Sequence, residues 1–134
     1  MAVFFHNGRT LAYQSDFAPF SHDLLLLHSS NFKPEFWRPV LEVFAAQPSA
    51  SGRVVTCEWF EAGRDMEMLA GDLSGLVRTL GLHSLHVVAC GDAVEVVTAM
   101  TRLPSEIFSK TLLFPQNVPR GEDLERAIRD FVQI

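Results

Sequence analysis

A chain of 134 residues holds one domain with one core and is too short for two ordinary ones. Its 48% hydrophobic and 20% charged residues match an average globular composition and exclude a disordered chain. The net charge of −5, with basic residues scattered along the chain, argues against nucleic-acid binding.

The N-terminal Met-Ala-Val-Phe-Phe-His lacks the charged and then long apolar layout of a secretory signal. No continuous apolar run, Leu24 to Leu27 included, approaches the ~20 residues of a membrane span. Cys57 and Cys90 fall inside predicted buried strands and match no zinc or redox spacing, so a reduced, cytoplasmic pair is expected.

Val3 to Phe5 is a short apolar run, and Asn7-Gly8 is a strong hairpin signal. Thr10 to Gln14 alternates as the returning strand, and Asp16 to Ser21, with Pro19, is expected to be a loop. Leu24 to Leu27 is uniformly apolar, as in a central parallel strand covered on both faces. Pro34 to Ala46 carries Phe36, Trp37, Val40, Leu41 and Phe44 at helical spacing; Pro39 should kink that helix or delay its start. Gln47 to Gly52 is a loop, and Arg53 to Trp59 a second buried strand. Met66 to Leu80 has one apolar stripe and stops at Gly81, where a left-handed cap is cheapest.

Leu85 to Ala93, Leu-His-Val-Val-Ala-Cys-Gly-Asp-Ala, reads as a buried strand ending in a tight turn, followed by a helix from Val94 to Arg102. Thr111 to Phe114 is one more strand, closed by Pro115. Pro119-Arg120-Gly121 is a turn, and Glu122 to Gln133 is a last amphipathic helix. Alternating strands and helices imply right-handed crossovers: a mostly parallel sheet of about six strands, helices on both faces and an antiparallel hairpin at the start.

This order of signals resembles the α/β-hydrolase fold from Val3 to about Phe114. Asn7-Gly8-Arg9-Thr10-Leu11-Ala12-Tyr13 is similar to that family's first hairpin, Leu24 to His28 to the strand entering its oxyanion loop, and Phe36-Trp37 to the aromatic pair opening the next helix. Asp72-Leu73 through Leu82 resembles the helix before the nucleophile strand. The resemblance implies a nucleophile elbow at Leu85 to Ala93, in the pattern small-x-nucleophile-x-small. Ala89 and Ala93 fill the two small places, and Gly91 stands where Ser, Cys or Asp should be. Ser29 replaces the glycine after His28. Relative to the family, the chain lacks the distal strands that carry the acid and the histidine, so it reads as a shortened, degenerate hydrolase core.

Cys90 or Asp92 could serve as nucleophile if the turn shifted by one residue. That shift puts Val88 and Asp92, or Cys90 and Val94, at the two crowded positions, and neither pair is small. The plain alternatives make Cys90 a packed strand residue and Asp92 a helix cap. His86 reads as a satisfied half-buried residue, and Asp16, Asp23, Glu58 and Asp65 as solvated loop charges. No spacing suggests a metal or cofactor site.

The resemblance therefore implies a catalytically silent module that binds a small molecule or a protein; the alternative is an atypical ester or thioester hydrolase using Cys90 or Asp92. The expected pocket is the crevice at the carboxyl ends of the strands, lined by His28, Ser29, Ser30, Asn31, Ala89, Cys90, Gly91 and Asp92. A helix starting beside Gly91 would favour a small anion there. Thr111 to Phe114 is expected to be a sheet edge through which two copies pair as a homodimer. Cys57 and Cys90 should not be bonded, because the family's strand order puts the His28 strand between theirs, about 9–10 Å apart.

Overall fold

The computed structural model describes residues 2–28, 32–47, 52–58, 65–101 and 108–132. Six strands form one sheet: β1 (Ala2–His6), β2 (Arg9–Ala18), β3 (Leu24–Leu27), β4 (Gly52–Glu58), β5 (Leu85–Cys90) and β6 (Phe108–Phe114). Their spatial order is β1-β2-β4-β3-β5-β6. From β4 to β6 all neighbours are parallel, and the β1–β2 hairpin lies antiparallel beside β4. The helices are α1 (Arg38–Ala45), α2 (Met66–Leu80), α3 (Ala93–Thr101) and α4 (Gly121–Val132).

The four-leucine run is central, as its composition demands. β3 pairs with β4 on one side and β5 on the other. Leu25 and Leu27 enter a core with Leu69, Leu73, Val96 and Met100 of α2 and α3. Leu24 and Leu26 enter a second core with Trp37, Val40 and Phe44, and with Leu124 and Ile128 of α4. A strand buried on both faces has no polar side to show, so its residues do not alternate.

β2 is longer than the expected Thr10 to Gln14. It continues through Asp16 and Phe17 to Ala18, where a loop was expected, because β4 pairs with it from Ala12↔Glu58 to Ala18↔Gly52. A partner strand supplies hydrogen bonds that no local pattern displays. Gly52 begins β4 where a Cβ would overlap the carbonyl oxygens of Phe20 and His22. Pro39 delays the first helix: Pro34–Trp37 forms a 3-10 turn, and α1 starts at Arg38 with Pro39 in its first turn. β6 starts at Phe108, ahead of the expected Thr111, while Trp59 and Arg102 lie outside the described residues.

Two expected surface charges are structural. Asp23 is 1% exposed. Its Oδ1 accepts the Arg53 amide at 2.9 Å and its Oδ2 the His83 amide at 2.7 Å, while its carbonyl accepts the His86 amide at 2.9 Å. One side chain thus ties together the start of β3, the start of β4 and the approach to β5. Asp65 caps α2, accepting the Met68 amide at 2.7 Å. Asp16 and Glu58 are exposed, but on strands and not in loops. Buried Asp72 of α2 receives Arg9 through two bonds, at 3.0 and 2.9 Å, and pairs with His6 Nδ1 at 2.7 Å. That cluster clamps the β1–β2 hairpin onto α2.

Candidate functional site

The turn between β5 and α3 has its apex at Gly91. All six residues of β5 are buried, Gly91 takes φ +62, and α3 begins two residues later. Left-handed backbone at the apex is what a sharp strand-to-helix reversal needs, and glycine adopts it without a Cβ clash. Ala89 and Ala93 are both fully buried on either side, which accounts for their small size. The Gly91 amide donates to Phe114 O of β6 at 2.8 Å, and its carbonyl accepts the Val94 amide at 3.2 Å. The expected frame is the one the backbone adopts: neither Cys90 nor Asp92 has a positive φ.

Cys90 is fully buried in the core beside Leu24, Leu26 and Val88, and burial pushes its thiol up to about 12. A thiol held protonated at neutral pH is a poor nucleophile. Cys57 is likewise buried and pushed up to about 12. Both cysteines are free, with β3 between their strands. Asp92 is half-buried and stands within electrostatic reach of His28, the residue that follows β3. Burial holds the His28 imidazole below its usual pKa, while Asp92 and Glu35 pull the other way.

The structure thus brings His28, Ala89, Cys90, Gly91 and Asp92 together at the carboxyl ends of β3 and β5. Of these, His28, Ala89 and Cys90 are buried, and Gly91 and Asp92 are partly open. Ser29, Ser30 and Asn31 lie outside the described residues. Among the described residues no group of three or more His, Cys, Asp or Glu could hold a metal ion, and no helix is long and apolar enough to cross a membrane.

Sequence reasoning missed three features. Arg120 leaves its expected turn to stack over Phe32 at 4.5 Å and Phe36 at 5.7 Å, joining the connection after β6 to the start of the α1 region. His22 and His86 stack at 3.8 Å between Phe20 and Phe131. His86 is not the satisfied residue expected: its Nδ1 meets Ser84 O at 3.0 Å, and its buried Nε2 has no hydrogen-bond partner among the described residues. The third is an open groove of about 660 Å³ between α1 and the adjacent strands β2 and β4. All three join residues far apart in the chain, so no local pattern signals them.

The sequence matches no family model and no curated protein. Solved structures are similar. A structure of AqDC with its product, from work on ring cleavage of the Pseudomonas quinolone signal, superposes with a TM-score of 0.70 at 16% identity, over 97% of this chain and 56% of that one. The structure of 1H-3-hydroxy-4-oxoquinoline 2,4-dioxygenase gives 0.68 at 17% identity, over 99% and 57%. A Vigna radiata epoxide hydrolase mutant gives 0.66 at 16% identity, over 84% and 37%. The chain has the α/β-hydrolase fold. It spans little more than half the length of the first two structures.

Proposed function

We propose that this α/β-hydrolase-fold chain is catalytically silent and acts as a binding module, with a small ligand held in the crevice where β3 and β5 end. The observation that carries this reading is Gly91 at the apex of the elbow, at φ +62, in the frame where the fold's hydrolases project their nucleophile. A residue without a side chain performs no attack. The buried, protonated Cys90 thiol supports the same reading.

A small anion is the proposed ligand, met by the first turn of α3. The Gly91 amide is already given to Phe114 O, so the anion would be met by other amides of that first turn. The competing reading is an ester or thioester hydrolase that uses Cys90 or Asp92.

One experiment separates the two. The purified chain is expected to turn over short p-nitrophenyl and thioester acyl substrates at no more than the background rate. A rate above background that vanishes in Cys90→Ala or Asp92→Asn overturns the silent reading. In parallel, acetate, phosphate and short aliphatic carboxylates are titrated against thermal unfolding. Stabilisation by one of them, lost in Gly91→Glu, supports the crevice as a binding site; no shift with any of them rejects the anion.

A further inference from the structure

The helical layers on the two faces of the sheet do not extend equally far. On the face carrying α1 and α4, the described helices reach from β3 and β4 onto the Ala18 end of β2 and leave the rest of the hairpin uncovered. Directly opposed residues on neighbouring strands share a face. Val3 of β1 therefore lies in one row with Ala12 of β2 and Glu58 of β4, and Phe5 lies beside Thr10. Val54 and Ala18, on the same face by alternation, belong to the core under α1 and α4. Farther out that face is bare: Phe5 is 74% exposed and Val3 50%. Phe17, 71% exposed at the far end of β2, pairs with Arg53 and by alternation lies on the other face, so Val3 and Phe5 are the large exposed hydrophobic residues of this face among those described.

Between this bare face and the flank of α1 runs the groove of about 660 Å³. Its apolar floor includes Leu41, Phe44 and Val54. Its rim carries four carboxylates, Asp16, Glu35, Glu42 and Glu58, against the single guanidinium of Arg38. Packed helices lie about 8–10 Å apart and strands about 4.8 Å apart, so a helix laid beside α1 would rest two strands further out, over β2 and β1. That is where exposed Val3 and Phe5 are.

We infer that the groove between α1 and the β1–β2 hairpin docks an amphipathic helix of a partner protein, with an apolar stripe flanked by lysine and arginine. The stripe covers Val3, Phe5 and the groove floor, and the basic residues meet the carboxylate rim. A second copy of the chain fits poorly, because it brings a net charge of −5 to an acidic groove. The groove shares no lining residue with the elbow pocket, and only Glu35 of its rim lies within electrostatic reach of His28.

The test uses a fluorescein-labelled helical peptide of leucine and lysine, about five turns long and amphipathic, read by anisotropy. Saturable binding is expected, weakening as salt rises from about 50 to about 500 mM. The double substitution Asp16→Lys/Glu42→Lys is expected to weaken it about tenfold or more, and Phe5→Ser to weaken it as well. Glu95→Lys/Asp123→Lys makes the same change in net charge on exposed residues away from the groove and is expected to alter binding by less than about twofold. Circular dichroism confirms that each variant is folded. Four results would each overturn the inference: no saturable binding, equal weakening by both double variants, equal binding of a scrambled or a glutamate-for-lysine peptide, and a homodimer that Phe5→Ser dissolves.

Discussion

Asp23 is the residue whose removal should most damage the sheet. Its two carboxylate oxygens accept the backbone amides of Arg53 and His83, at 2.9 and 2.7 Å, in a site that is 1% exposed. Hydrogen bonds to a charged acceptor contribute about 1.5–3 kcal/mol each, and a buried amide left without one bears its full desolvation cost. Asp23→Ala strands both amides and is expected to lose about 3–6 kcal/mol. A domain of this kind has only about 5–15 kcal/mol in total. Asp23→Asn is nearly isosteric but sharper as a test. Its carbonyl can keep one amide, while its NH2 group faces the other, donor against donor. The expected loss is about 2–4 kcal/mol. Urea unfolding followed by circular dichroism measures both, with exposed Asp16→Asn as a control expected within about 0.5 kcal/mol of wild type. If Asp23→Asn also unfolds within about 0.5 kcal/mol of wild type, the two-amide bridge is not what holds the three strands at that end.

Burial and the neighbouring His86 hold His22 below its ordinary 6.5, with Lys110 acting in the same direction and Asp23 against it. The unfolded chain therefore takes up the proton first. Stability is full above about pH 7 and falls as pH drops below about 6.5. Buried His28 adds a loss of the same sign. His22→Phe keeps the ring stack without the charge and is expected to flatten that slope in urea unfolding at pH 5 to 7; an unchanged slope rejects the assignment. With both thiols buried and pushed up to about 12, Cys57 and Cys90 are expected to react with a disulfide reagent at pH 8 only as fast as the protein unfolds, and both at once in denaturant. Fast labelling of native Cys90 would contradict its burial. Finally, β6 is the outer strand among the described residues, Leu113 is 38% exposed, and Leu124, Ile128 and Val132 of α4 pack into the core beside α1 and not across the β6 edge. A homodimer through Thr111 to Phe114 is expected in sedimentation at micromolar concentration, and Leu113→Lys should return it to monomer. A wild-type chain that sediments only as monomer removes that pairing.

Periodicity and glycine placement in the sequence were enough to determine the element order and the parallel centre of the sheet, and the resemblance to the α/β-hydrolase fold implied the frame of the elbow. Four consecutive leucines admit little but a strand covered on both faces. Ala89, Gly91 and Ala93 admit few partners but a sharp turn, because crowding at such a turn is local. The length of β2, the work of Asp23, the Asp72 clamp, the His22–His86 stack and the groove beside α1 were decided only by the tertiary structure. The amides that Asp23 receives come from residues 30 and 60 positions away, and Asp72 meets partners 63 and 66 positions away. A carboxylate looks the same in sequence whether it ends up in water or between two strands. What distinguishes the cases is which backbone amides the fold leaves without a partner beside it, and only strand order and register determine that.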